Sequence, residues 1–198
     1  MKNYLLLALG LLASVSLASA AVKTGEPAPD FVLHDASGDK VALTDYAGKY
    51  VVLEWLNHQC PFVVAHYESG NMQSLQKKYG EQGVVWLSIV SSAPGAGGHD
   101  TPEGHTKTAE EMGAAPTEIL IDESGEVGKS YGAKTTPHMY VIDPNGILIY
   151  QGAIDDSPRG NPSEAKNYVS AALDQSMAGE EVKDATTKPY GCSVKYAK

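Results

Sequence analysis

The first apolar cluster of the chain runs from Leu5 to Leu17, behind a lone Lys2 and ahead of Ala18-Ser19-Ala20. Gly10, Ser14 and Ser16 interrupt it, so it falls short of the roughly 20 apolar residues that a bilayer span needs. A short positive start, an apolar middle and a small-residue cleavage site form the pattern of a secretory signal peptide over residues 1–20. The domain is then expected over 21–198. No later stretch of it is apolar and long enough to cross a membrane.

After an irregular entry containing Gly25, Pro27 and Pro29, the pattern predicts short strands at Phe31 to His34 and Lys40 to Leu43, joined across the turn-rich Asp35 to Asp39. Tyr50 to Leu56 is almost wholly apolar, as a strand buried on both faces must be. A helical stretch follows Cys60-Pro61 to about Tyr79, with Gly70 as the expected kink, and Val84 to Val90 reads as another buried strand. A helix is expected from Pro102, capped by Asp100 or Thr101 and stopped by Gly113. Thr117 to Ile121 predicts a strand and Glu126 to Tyr131 a short helix ended by Gly132. His138 to Ile142 and Ile147 to Gln151 form a hairpin across Asp143-Pro144-Asn145-Gly146. The closing helix is expected to open at Asn161-Pro162-Ser163-Glu164, to present Ala165, Tyr168, Val169, Ala172 and Leu173 as its apolar face, and to end at Gly179. This order predicts one α/β domain, a mixed sheet with helices on both faces, followed by a tail from about residue 180.

Charge narrows the partners. The formal net charge is −9, or −10 once Lys2 is removed with the leader, and Arg159 is the single arginine. Phosphate backbones require clustered positive charge, so nucleic acid is excluded as a partner. The two cysteines, Cys60 and Cys192, are too few for a disulfide framework. They are open to being one bridge or two separate thiols.

Cys60 carries the sharpest chemical signal, because it lies between the end of a buried strand and the start of a Pro-initiated helix. A thiol there faces unpaired backbone N–H groups and the positive end of the helix dipole, which favour the nucleophilic thiolate. Thr136-Pro137 directly precedes a strand, where a cis proline would leave adjoining backbone free to pair with a substrate strand. Glu54 interrupts an apolar strand and shares a face with Val52 and Leu56, which favours burial, a raised pKa and service as a proton acceptor. Its alternative is an edge carboxylate paired with a lysine. His58 and His138 could join Cys60 in a soft copper or zinc site, or one of His58, His66 and His138 could tune the thiol; loop polarity is the plainer explanation for each. Trp55 and Trp86 read as core. Ser92 to Gly98 lacks the Lys-Ser/Thr signature of a phosphate loop and reads as a flexible loop at the thiol end of the sheet.

Taken together, Leu53 to Phe62, Gly83 to Ser88, Ser91 to Gly95, Thr136-Pro137 before the hairpin and Pro189 to Tyr196 resemble the thioredoxin superfamily, in its redoxin branch of alkyl hydroperoxide reductase and thiol-specific antioxidant-like proteins. The resemblance covers essentially the whole mature chain and implies a thioredoxin-like three-layer fold with an extra N-terminal β-hairpin. It implies thiol–disulfide exchange or antioxidant peroxide reduction through Cys60, with Thr136 and Pro137 shaping the substrate groove. No dissociable cofactor is implied, and the partners are a thiol or disulfide protein, a small-molecule thiol reductant or a peroxide, in the periplasm or outside the cell. Two departures stand out. Asn57 occupies the first position of the Cys-x-x-Cys motif of thioredoxin-type enzymes, and Pro137 stands where a peroxiredoxin's helper arginine is expected. Cys192 is the candidate resolving cysteine, able to fold back onto oxidised Cys60; its alternative is an incidental tail cysteine or a mere tether. A different class also fits: a non-enzymatic module of this fold that binds copper, zinc or a protein partner.

Overall fold

The structure, a computed structural model, describes residues 22–158 and 164–197; the segment expected to be a signal peptide, Arg159 and the expected Asn161-Pro162-Ser163 helix start lie outside the described residues. Strand β3 (Val51–Trp55) is the axis of the fold. It runs parallel to β4 (Val85–Val90) on one side and antiparallel to β7 (His138–Ile142) on the other. β4 pairs in parallel with β5 (Glu118–Ile121), whose outer edge takes the antiparallel hairpin β1 (Val32–Asp35) and β2 (Lys40–Ala42). β8 (Leu148–Gly152) completes a seven-stranded mixed sheet in the order β2-β1-β5-β4-β3-β7-β8. The N-terminal hairpin is thus an extension of one sheet edge, as expected.

Alternation along β3 divides the core in two. Val52 and Leu56 point to one face, with Val63, Met72, Tyr79, Val169 and Leu173 from helices packed over them. Val51, Leu53 and Trp55 point to the other, against Tyr131, Phe31 and Tyr140. All five residues of β3 are buried, so the unbroken apolar run reflects a strand covered on both faces.

The helices are α1 (Pro61–Glu68), α2 (Asn71–Gly80), α3 (Pro102–Glu111), α4 (Glu126–Tyr131) and α5 (Tyr168–Met177). Gly70 does more than kink the expected long helix. It adopts φ 74°, a left-handed conformation open to glycine, and splits the stretch into α1 and α2. Thr101 caps α3 by accepting from the Gly104 N–H at 3.1 Å.

The closing helix opens later than the sequence suggests. Lys166 and Asn167 are held in extended pairing with the segment after β8: the Asp156 N–H donates to Lys166 O, and the Tyr168 N–H to Ile154 O. Asn167 then caps α5, its side chain accepting from the Ser170 N–H at 2.8 Å. Ala165 therefore lies before the helix, not on its apolar face. The tail is also not loose. It runs beside β8, where the Thr187 N–H bonds Gln151 O, then crosses the sheet end and adds β9 (Cys192–Ser193) antiparallel to β6 (Thr135–Thr136).

Candidate functional site

The thiol centre lies where β3 runs out and α1 begins. Cys60 is the N-cap of α1, extended at φ −78° and ψ 121°, and Pro61 opens the helix. The turn leading to it is built by Asn57. Its Oδ1 accepts from the Gln59 N–H at 2.8 Å, its backbone O accepts from the Cys60 N–H at 2.9 Å, and its Nδ2 donates to Gly97 O at 2.9 Å. The residue standing in the first motif position is thus occupied structurally, and it ties the Ser92–Gly98 loop to the thiol end of the sheet.

Across from Cys60 lies the Thr136-Pro137 loop, whose peptide bond is cis. The Cys60 Sγ–H donates to Thr136 O at 3.0 Å. Both Cys60 and Thr136 are 2 % exposed, and the Thr136 hydroxyl has no hydrogen-bond partner, so it is free to turn onto a thiolate. Thr136 is also the residue that pairs with Cys192 in the β6–β9 ladder. The tail cysteine is therefore carried on a strand that lies along the cis-proline loop, against the Cys60 thiol.

The electrostatics of the two sulfurs are unequal. Burial pushes the Cys60 thiol up, but the Cys192 thiol, the Thr136 side chain and the N–H groups of Val63 and Cys192 together outweigh it, and the pKa lies below the ordinary value. Cys192 is pushed up to about 11, first by desolvation and then by the hydrogen bond to Cys60 and the charge on it. The two thiols are thus unequal, with the lower pKa on Cys60 and the higher on Cys192.

The other expected residues sit as follows. Glu54 is fully buried on the face of Val52 and Leu56, where Oε2 accepts from Trp86 Nε1 at 2.7 Å, Ser88 Oγ at 3.2 Å and Gln76 Nε2 at 3.3 Å. The Tyr67 hydroxyl donates to Oε1 at 3.2 Å. Desolvation still wins over these donors and raises the Glu54 pKa. Its hydrogen bonds run to the strands and helices beneath the site and none reaches the Cys60 sulfur. The expected copper or zinc set is not assembled. His138 Nδ1 is engaged by the Lys134 N–H and the Tyr140 hydroxyl, His58 packs instead against His105 with ring centroids 5.7 Å apart, and among the described residues no group of three or more His, Cys, Asp or Glu could hold a metal. Burial lowers His138 to about 3 and His58 to about 4, so both are neutral at physiological pH.

Residues that local pattern did not single out complete the site. Tyr190, two positions before Cys192, inserts its hydroxyl between His66 of α1 and the buried Asp155. Gly191 lets the tail approach Thr136 O so closely that a Cβ there would lie 2.1 Å from it. The spacing of Tyr190 from Cys192 was visible in the sequence. Its partners, more than thirty residues away along the chain, were not.

A seven-stranded mixed sheet with helices on both faces, a helix-capping cysteine and a cis proline opposite it define a thioredoxin-like protein with a thiol centre. More narrowly, the chain belongs to the AhpC/TSA family, whose model matches residues 24–151. It is 35% identical over 144 residues to the thiol-disulfide oxidoreductase ResA of Geobacillus thermodenitrificans, covering 72% of this chain and 77% of that protein. The crystal structure of an uncharacterized conserved protein of Geobacillus kaustophilus superposes with a TM-score of 0.78 at 31% identity, covering 88% of this chain and 93% of that one. At the level of fold alone, the thioredoxin domain of a thiol-disulfide oxidoreductase of Bacteroides vulgatus superposes with a TM-score of 0.54 at 22% identity, covering 66% and 89%.

Proposed function

We propose that this chain is an exported thiol–disulfide oxidoreductase in which Cys60 is the nucleophile and Cys192 its intrachain partner. The observation that carries the reading is the β9 strand, which brings Cys192 onto Thr136 beside the Cys60 thiol. The relative named a thiol-disulfide oxidoreductase and the leader-like pattern of residues 1–20 support the reaction class and the export.

In the reaction, the Cys60 thiolate attacks one sulfur of an external disulfide, forms a mixed disulfide and releases the first thiolate. Loss of charge on Cys60 removes one cause of the high Cys192 pKa. The Cys192 sulfur then attacks Cys60, its proton passes to the second departing thiolate, and a Cys60–Cys192 disulfide remains. The external disulfide gains two electrons and the protein dithiol loses them. A separate thiol reductant reverses the sequence. Thr136 contributes its carbonyl and hydroxyl to the sulfur, and Pro137 shapes the loop that carries them. Glu54 supports the site from below as a buried polar hub. Peroxide is the alternative oxidant implied by the family, and the site offers it the same thiolate and the unpartnered Thr136 hydroxyl.

The test is turnover of a peptide disulfide by the mature chain with a dithiol reductant. Cys60→Ser is expected to abolish it, and Cys192→Ser to stall it at the mixed disulfide. Undiminished turnover in Cys60→Ser would refute the assignment. Peroxide consumption that outpaces disulfide turnover would move the function to peroxide reduction.

A further inference from the structure

We propose that Tyr190 is a positioning residue that latches the tail over the thiol centre, and so sets how the Cys60 sulfur divides its time between Cys192 and an outside partner. The proposal rests on the Cys60–Cys192 reading above. It stands on a continuous polar chain on the helical side of the site. Asn167 Nδ2 approaches Asn71 Oδ1 at 3.5 Å, which turns Asn71 Nδ2 toward His66 Nδ1 at 2.9 Å. With Nδ1 accepting, His66 carries its proton on Nε2 and donates to the Tyr190 hydroxyl at 3.0 Å. That hydroxyl in turn donates to Asp155 Oδ1 at 2.5 Å. Each donor and acceptor along the chain is used in one direction only, and the direction requires neutral His66, in keeping with the lowering of its pKa by burial.

His66 and Asp155 are 2 % and 1 % exposed, so the Tyr190 hydroxyl is the tail's plug in a buried polar socket. The second oxygen, Asp155 Oδ2, has no hydrogen-bond partner. Asp155 Oδ1 also accepts from the Ser157 N–H at 3.0 Å, so loss of the tyrosine hydroxyl leaves one backbone donor on a buried carboxylate that already has one oxygen unpartnered, which is costly. The Tyr190 ring also packs on Phe62 and His66, at centroid distances of 5.9 and 6.4 Å. Phe62 and His66 belong to α1, the helix that Cys60 caps, so the latch fixes Cys192 relative to the element that carries the nucleophile. Between plug and cysteine there is only Gly191, with φ 132°. While the latch is closed, β9 occupies the edge of β6 beside Cys60, where a peptide carrying an external disulfide would lie.

Tyr190→Phe removes the hydroxyl and keeps the ring packing. The experiment equilibrates the mature wild type and this variant with reduced and oxidised glutathione, and measures the fraction of Cys60–Cys192 disulfide. Melting temperatures of both redox states are recorded alongside. Loss of the latch in Tyr190→Phe is expected to give a tenfold or greater fall in the effective concentration of Cys192 at Cys60, about 30 mV in potential. A longer-lived Cys60–glutathione mixed disulfide should accompany it. A merely structural role would lower both melting temperatures and leave the equilibrium unmoved. A wild-type equilibrium in Tyr190→Phe overturns the latch and leaves the two-cysteine cycle standing. Absence of any intrachain disulfide in the wild type overturns the cycle itself, and the latch with it.

Discussion

Gly191→Ala is the substitution that most sharply tests how the tail reaches the thiol. The added methyl would stand 2.1 Å from Thr136 O and 2.8 Å from Thr136 C, inside the 3.0 Å that Cβ atoms essentially never breach. The obstacle is backbone of the cis-proline loop, which cannot swing aside as a flexible side chain would. The positive φ of 132° adds conformational strain for any residue with a Cβ. Strain of about 1–2 kcal/mol and loss of roughly one net hydrogen bond together amount to on the order of 2–3 kcal/mol against docking of β9. At 1.4 kcal/mol per factor of ten, that is roughly a 30- to 150-fold fall in the local docking equilibrium. The β6–β9 ladder has only two residues on each strand, so outside it Cys192 is held in register by the Tyr190 latch on one side and by the bonds of Val194, Lys195 and Tyr196 to Lys134, Ala93 and Ala133 on the other. The assay is the glutathione equilibrium of the Cys60–Cys192 pair, with far-UV circular dichroism to confirm that the seven-stranded sheet persists. A variant that forms the bridge with wild-type effective concentration would refute the close approach on which the site is built.

Further outcomes follow from the buried ionisable groups. Cys192→Ala removes the side-chain donor that lowers the Cys60 pKa, so the pH midpoint of Cys60 alkylation by iodoacetamide should move upward; an unmoved midpoint would mean the sulfurs do not communicate. His138 and His58 stay neutral to about 3 and about 4 in the folded chain, while the unfolded chain binds those protons near pH 6.5. Their contribution to stability is present above pH 6.5 and is lost on acidification, at about 1.4 kcal/mol per pH unit for each histidine. Urea midpoints between pH 7 and 5 should fall accordingly, and His138→Gln should flatten the fall; an equally steep fall in that variant would contradict the assignment. Glu54 has the opposite sign. Its raised folded pKa gives stability at low pH that is lost as pH rises through that pKa, so the advantage of wild type over Glu54→Gln should shrink with rising pH, and a growing advantage would mean Glu54 is stabilised as a carboxylate. Trp86→Phe removes the 2.7 Å donor to Glu54 and should cost about 1.5–3 kcal/mol in chemical denaturation.

Much of the fold was legible because its cues are local. β3 and β4 announce themselves as apolar runs, α4 ends at Gly132, and of the two expected caps for α3, Asp100 and Thr101, it is Thr101 that accepts from the Gly104 N–H. The expected helix does not run through Glu164–Asn167, because backbone pairing of Asp155 and Asp156 with Lys166 and Asn167 keeps the latter two out of a helix. No nearest-neighbour cue reports a pairing of that kind. The candidate site divides along the same line. Cys60 at a helix start, Thr136-Pro137 before a strand and the burial of Glu54 follow from sequence position alone. The docking of Cys192 depends on Tyr190 finding Asp155 and His66, 35 and 124 residues away, and on a glycine tolerating contact with a carbonyl. The copper or zinc set of Cys60, His58 and His138 is likewise set by distant partners: His58 lies against His105, His138 Nδ1 is engaged by Lys134 and Tyr140, and among the described residues no group of three or more His, Cys, Asp or Glu could hold a metal.

The proposed redox cycle makes Cys60 and Cys192 one pair within a single chain. Intact mass of the mature protein after brief exposure to oxidised glutathione, followed by peptide mapping under non-reducing conditions, tests it most directly. A single redox pair loses two hydrogens and yields one linked peptide joining Cys60 to Cys192, restored to free thiols by a dithiol reductant. Two stable glutathione adducts on one chain, or a Cys60 that stays alkylatable while Cys192 is modified, would contradict it.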